Sequence, residues 1–228
     1  MLYTEETVKA NLRTREGKRV LHLAPGDQLT PGARDWLNRE RIEILRDEKG
    51  LFPEFQMVNG AVLREKPENM THLQGNILVE KTHPRIVLRG QMDALEAEIL
   101  LLGKAYPQVG KQMGELLALS REIIRREVLE EPLEERALLG FTAEELRQRS
   151  HFPQKYYGQA HFMPDFGDSE VLLALNRLRT QVRRAELAAV AAFRGPEGML
   201  SREDIPRALN RMSSAVYLLM VEAKRGQS

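Results

Sequence analysis

The sequence predicts a mainly α fold: an up-and-down bundle of four to five helices with a small N-terminal α+β appendage. Three observations predict it. Leu, Ala, Glu and Arg are abundant while aromatics make up only 6% of the 228 residues, which favours helix over sheet. Long apolar seams recur at alternating steps of three and four, the period of a helix with one buried face. The N-terminal stretch instead breaks into short runs separated by turn signals.

Residues 1–50 read as one α+β unit. Thr4 is placed to cap a helix over Glu5 to Thr14. Arg19 to Ala24 (RVLHLA) is strand-like. Thr30, with Pro31 at the first helical position, caps a helix over Gly32 to Glu40. Ile42 to Gly50 alternates like an edge strand and ends on glycine. Residues 51–83 read as a linker and a candidate phosphate-loop region. Leu51 to Lys66 has no clear period, as a linker or loosely packed strands would. Thr71, His72, Gln74, Gly75 and Asn76 then lie in a non-helical stretch whose backbone N–H groups suit wrapping phosphate. A plain loop is the competing reading, because one glycine does not make a phosphate loop.

Pro84 can start a helix, and residues 84–228 read as the bundle. Over Arg85 to Ala105 the seam is Leu88, Met92, Leu95, Ile99 and Leu102, with Arg89, Asp93 and Glu96 on a neighbouring face. Pro107 opens a second helix to about Glu130, burying Met113, Leu116, Leu117, Ile123 and Ile124. Thr142 and Glu145 form a capping box for a short helix to about Arg149. Ser150 to Glu170 gathers His, Phe, Tyr, Pro and Gly into a long irregular loop, uncommon between bundle helices unless it has a function. Asp168 is placed to cap a helix with seam Leu175, Leu178, Val182, Ala185, Ala189 and Ala192. After a turn at Arg194 to Gly198, Ser201 or Asp204 caps a last helix with seam Leu209, Met212, Val216, Leu219 and Ala223.

The formal charge of +1 gives no bulk electrostatic case for nucleic acid or an anionic membrane, so any phosphate site must be local. The chain has no cysteine, which removes disulfides and thiolate metal sites. No apolar run has the length of a signal peptide or a membrane span, so a cytoplasmic protein is expected. No spacing links serines and histidines into a nucleophile triad. The E-x-x-H pairs of carboxylate metal bundles are absent, and His72, His83, His151 and His161 lack metal-ligand spacing.

The polar faces of the last two helices are more telling. Arg179, Arg183 and Glu186 fall at i, i+4 and i+7 and share a face. Asn210, Ser213 or Ser214, and Tyr217 lie beside the final seam. Two arginines one turn apart cost desolvation unless paired. Asp93 is the natural partner for one, and the other is free to grip phosphate bidentately. A pair of surface salt bridges is the competing reading.

LRTQVRRAE followed by ALNRMSSAVY resembles the last two helices of the corrinoid adenosyltransferases of the PduO type. The resemblance is closer to their ethanolamine-utilisation branch, the EutT-type enzymes. THLQGNILVEKTHPRIVLRGQMDALEAEIL, LRQRSH, DIPRALNRMSSAVY and the N-terminal LHLAPGDQLTPGARDWL carry it, so it runs from about residue 20 to 220.

The resemblance implies transfer of the 5′-deoxyadenosyl group of ATP to the Co(I) of cobalamin, giving adenosylcobalamin, for ethanolamine utilisation. It implies that Arg179, Arg183, Glu186 and Asn210 bind ATP, and that Asp93 pairs with Arg183 and orients it. Thr71, His72, Gly75 and Asn76 would take the place of the family's phosphate loop. Phe162, flanked by His161 and Met163, is the candidate for the wall that displaces the lower axial ligand of cobalt. Mg²⁺ would accompany the triphosphate, and a homotrimer would place the nucleotide between subunits. A corrinoid reductase, a cobalamin-dependent lyase and a bacterial microcompartment are the implied associations. Many relatives carry a Cys-rich metal motif ahead of the bundle; with no Cys, this chain is expected not to use one. The competing readings are a non-catalytic corrinoid or nucleotide carrier and a microcompartment scaffold working through residues 1–50. A scaffold gives no reason to place Arg179, Arg183 and Glu186 on one face.

Overall fold

The computed structural model describes residues 1–15, 17–46 and 55–226. The chain divides into two compact units: Met1–His83 with Glu127–Glu131, and Pro84–Arg126 with Pro132–Ser228. Residues 1–50 and 51–83, separated on the sequence, therefore fall in one unit.

In the first unit, β1 (Leu2–Tyr3) pairs in parallel with β4 (Gln28–Leu29). Thr4 caps α1 (Glu5–Asn11) through a capping box with Thr7. The helix expected to reach Thr14 ends at Asn11, because β2 (Leu12–Arg15) pairs antiparallel with β3 (Lys18–Leu23). The tertiary ladder overrides the helical pattern there. Thr30 caps α2 (Pro31–Arg39), its side chain accepting from the Ala33 N–H at 3.3 Å. β5 (Glu43–Arg46) then joins β3 in parallel at the sheet edge. The end of that expected strand and the start of the expected linker, residues 47–54, lie outside the described residues. Val8, Leu12, Leu21, Leu23, Ala33, Trp36 and Leu37 form the core under these elements.

The candidate phosphate loop is a β-hairpin. β8 (Met70–Gln74) and β9 (Ile77–Glu80) pair antiparallel, with a register shift between His72 and Gln74. β6 (Phe55–Met57) and β7 (Val62–Leu63) complete a sheet of order β7-β6-β9-β8.

The second unit is the helix bundle. Its long helices are α3 (Pro84–Ala105), α4 (Gly110–Leu129, after a 3-10 turn at Pro107–Val109, its last three residues grouping with the first unit), α7 (Glu170–Phe193) and α8 (Asp204–Arg225). Two short ones, α5 (Ala143–His151) and α6 (Pro153–Tyr157), lie between. The bundle thus holds six α-helices among the described residues against the expected four to five; the addition is the five-residue α6, too short to leave a periodic signal. All five expected seam residues of α3 are buried. On α4 the buried apolar positions are Met113, Leu116, Leu119 and Ile123, while Leu117 and Ile124 flank the core half-exposed. The buried set follows one face; Leu117 and Ile124 lie one residue off it.

Helix starts depart from expectation at two places. Ser169, not Asp168, caps α7: its Oγ accepts from the Leu172 N–H at 3.4 Å. α8 begins at Asp204 after Glu203, with no side-chain cap. The Asp204 carboxylate instead accepts from Arg202 and from the Leu133 N–H at 2.7 Å, and Ser201 Oγ donates to the Phe193 carbonyl at 3.1 Å. Of the long irregular loop expected at Ser150–Glu170, the first part is helical, closed by Gly158 at φ 69°. Residues 158–169 remain as the loop proper.

Candidate functional site

α7 and α8 pack antiparallel, and their polar faces meet in register. Glu186 on α7 accepts a hydrogen bond of 2.8 Å from Asn210 Nδ2 on α8. Seven residues back on α7 and seven forward on α8, the Arg179 guanidinium lies 5.3 Å from the Tyr217 ring centroid. Seven further along α8 is Lys224, paired with Asp168 just ahead of α7. Asn210, Tyr217 and Lys224 thus form one stripe, because seven residues are nearly two helical turns.

The arginine face is electrostatically unfinished. Arg179 Nε is buried with no hydrogen-bond partner. Burial, then the neighbouring Arg183 charge, holds the Arg179 guanidinium below its ordinary value. Both causes disfavour the cation, and a bound anion would offset both. A half-buried guanidinium in that state is a site awaiting negative charge. Arg183 and Arg184 are exposed beside it. Among the described residues no ion pair joins Glu186 to Arg179 or Arg183; its Oε1 accepts from Asn210, whose Oδ1 accepts in turn from Arg211 at 2.7 Å. Asp93 is exposed on α3, and among the described residues no ion pair joins it to Arg183.

The aromatic loop closes against the same stripe. His161 Nδ1 lies 2.9 Å from the Tyr217 hydroxyl, and its Nε2 lies 3.1 Å from the His151 carbonyl. A carbonyl only accepts, so Nε2 carries a proton, and in the neutral ring Nδ1 accepts from the Tyr217 O–H. Phe162 is half-buried, stacked on Tyr217 at 6.2 Å with Lys224 Nζ 5.7 Å above its ring. Met163 is not part of this packing; it is 85% exposed.

The hairpin residues differ in kind. Asn76 is buried and accepts from the Thr14 N–H at 2.7 Å while donating to the Thr14 carbonyl at 3.1 Å. Gly75 sits at φ 54°, where an added Cβ would lie 1.7 Å from the Leu12 carbonyl oxygen. Thr71 is half-buried in β8. Desolvation, then Lys66 and Arg13, hold the His72 ring below its ordinary value, which makes it a poor phosphate-binding cation at neutral pH. Asn76 thereby ties the hairpin turn to β2, and Gly75 lets that turn approach it closely.

A cavity of about 70 Å³ is walled by Leu119, Leu138 and Leu146 and rimmed by Arg211. It is far smaller than the roughly 300 Å³ a nucleotide-sized ligand requires. Among the described residues no group of three or more His, Cys, Asp or Glu could hold a metal ion.

Sequence reasoning placed Tyr217 beside the seam without giving it a role, and missed Lys224 and the ionic role of Asp168. The signal was there in part: Asn210, Tyr217 and Lys224 recur at steps of seven. Lys224 resembles any last-turn lysine until its partner, 56 residues away, is known.

Comparison with known proteins adds an independent line. Residues 61–223 match the family model described as "Cobalamin adenosyltransferase". The "Corrinoid adenosyltransferase EutT" of Escherichia coli K12 is 31% identical over 242 aligned residues, covering 96% of this chain and 90% of the relative. The protein of the same name from Salmonella typhimurium LT2 is 30% identical over the same shares.

Proposed function

The chain belongs to the cobalamin adenosyltransferase family, and from that premise we propose that it transfers the 5′-deoxyadenosyl group of ATP to the Co(I) of cobalamin, in ethanolamine utilisation. One observation carries the reading: Arg179 Nε is buried without a partner, next to a second arginine, on a face where the Glu186 carboxylate bonds Asn210 and pairs with neither arginine among the described residues. That face needs an anion, and a triphosphate is one.

The residues divide the work. Co(I) attacks C5′ of the ribose, the C5′–O bond breaks, and triphosphate leaves with the electron pair. Arg179 and Arg183 hold the polyphosphate and offset the charge that develops on the leaving oxygen. The Asn210–Glu186 pair fixes the polar edge where the nucleoside lies. Phe162, in the loop beside Tyr217, offers the apolar wall for the corrinoid face. Mg²⁺ finds no three-membered donor cluster among the described residues. It would arrive with the triphosphate, held by phosphate oxygens and water, and no step here depends on it.

The active species is a homotrimer. Arg183 and Asp93 are both exposed in the single chain, where a neighbouring copy can complete their pairing. A cytoplasmic setting, with a corrinoid reductase and a cobalamin-dependent lyase as partners in a microcompartment, suits this reaction. No helix among the described residues is long and apolar enough to cross a membrane. The test is direct. ATP, Mg²⁺ and chemically reduced cobalamin under anaerobic conditions should give the adenosylcobalamin spectrum. Absence of that product would sink the transfer reading, and binding without turnover would favour a carrier.

A further inference from the structure

The loop 158–169 is fastened to α8 twice, and both fastenings span 56 residues. His161 bonds Tyr217, and Asp168 pairs with Lys224. The loop therefore runs alongside the last two turns of α8 in the same direction. Seven residues of helix rise about 10 Å, whereas seven extended residues reach about 24 Å. The slack is taken up by a local turn. Asp168 Oδ2 accepts from the Asp165 N–H at 2.9 Å, Asp165 Oδ1 accepts from the Gly167 N–H at 2.7 Å, and the Asp165 carbonyl accepts from the Asp168 N–H at 3.1 Å.

Tyr217 is where the loop and the arginine face meet. Its hydroxyl donates to His161 Nδ1. Its ring contacts Phe162, His161 and the Arg179 guanidinium. Only 8% of the residue is exposed. Burial raises the hydroxyl above its ordinary value, so it stays protonated and able to donate. The hydroxyl and the ring thus have separable jobs. The hydroxyl engages the loop alone, while the ring touches both the loop and the arginine.

We propose that Tyr217 is a positioning residue that locks Phe162 and Arg179 in one fixed relation, through its hydroxyl to the loop and its ring to the guanidinium. This rests on the adenosyl-transfer reading above. Replacing the hydroxyl frees the loop that carries the corrinoid wall and leaves the anion face in place. Replacing the ring disturbs both.

The experiment compares binding of cob(II)alamin and of ATP to the intact chain and its Tyr217→Phe, Tyr217→Leu, His161→Ala and His161→Gln variants. Hydrogen exchange at the Phe162 amide is followed in parallel. Tyr217→Phe should weaken cob(II)alamin about tenfold, the worth of one lost part-buried hydrogen bond, and leave ATP within about twofold. His161→Ala should do the same, and combining it with Tyr217→Phe should add nothing, since both remove one interaction. His161→Gln, which can still donate and accept, should recover most of the loss. Tyr217→Leu should weaken both ligands. Equal weakening of the two ligands by Tyr217→Phe would overturn the proposal. So would an unchanged cob(II)alamin affinity with faster exchange at Phe162, because the hydroxyl would then serve stability alone. A wild-type chain that binds no cobalamin overturns the parent reading instead, and the proposal with it.

Discussion

The turn at Gly75–Asn76 and the arginine face of α7 both carry polar groups that suit an anion, yet the chain treats them in opposite ways. Asn76 engages the backbone of Thr14 through both its amide oxygen and its amide nitrogen. Gly75 is present because nothing larger fits against Leu12. Arg179 keeps a buried N–H with no partner, and the nearest side-chain carboxylate on its face is held by Asn210. A polar group satisfied within its own unit stabilises the fold. One left wanting at a half-buried position makes the fold wait for a ligand. The difference lies in satisfaction rather than in residue type.

The contrast can be broken, and the largest expected effect lies on the arginine side. Arg183→Ala should cost about 10²- to 10³-fold in turnover, the usual loss on removing one charge-stabilising donor, with an unchanged melting temperature. Near-normal turnover would take this face out of the active site. On the hairpin side the effects should appear in stability only. Gly75→Ala should cost about 3 kcal/mol in urea unfolding, since it adds a left-handed strain to a clash with backbone. Asn76→Ala should cost about 2 kcal/mol, for two lost hydrogen bonds. Neither should change the ATP affinity of the folded fraction by more than about twofold. A large rise in the ATP KM of Asn76→Ala would return the hairpin to the site and erase the contrast.

The smallest effect sharpens the loop side. The Lys224 hydrogen bond, then the Asp165 N–H, hold the Asp168 carboxyl below its ordinary value. Unfolded, it titrates near about pH 3.9. The unfolded chain then binds more protons than the folded one in the acid range, so stability rises with pH there. The contribution is complete above about pH 4 and fades as pH falls through the folded value. Lys224→Met should flatten this part of the acid limb in melting curves between about pH 2 and 5. An unchanged limb would show that the pair adds nothing measurable.

How legible each region was follows from the range of its interactions. The seams of α3, α7 and α8 were readable because burial imposes a local period on the sequence. The capping boxes at Thr4 and Thr142 span three residues: the one at Thr142 was read in full, while at Thr4 only the cap was read and Thr7 was missed. The hairpin at Gly75 was not distinguishable from a phosphate loop. Glycine and asparagine serve both, and the deciding partner, Thr14, lies 62 residues away. Asp168 and Ser169 are both good caps by type, and only Lys224 decides which one is free for the role. Arg179, Arg183 and Glu186 were legible as a face. That Glu186 is engaged by Asn210 rather than by an arginine was not, because it depends on the register between two helices.

The two fastenings of the aromatic loop also set a timetable for the growing chain. His161 and Asp168 leave the ribosome 56 residues ahead of Tyr217 and Lys224. At about 5–20 residues per second that is a wait of roughly 3 to 11 s. The loop's partners are made among the last residues of α8, so a nascent chain can complete its N-terminal unit early yet leave this loop unlatched. A polypeptide interrupted before the final turn of α8 would lack the Asp168–Lys224 latch and keep the loop fastened through His161 and Tyr217 alone.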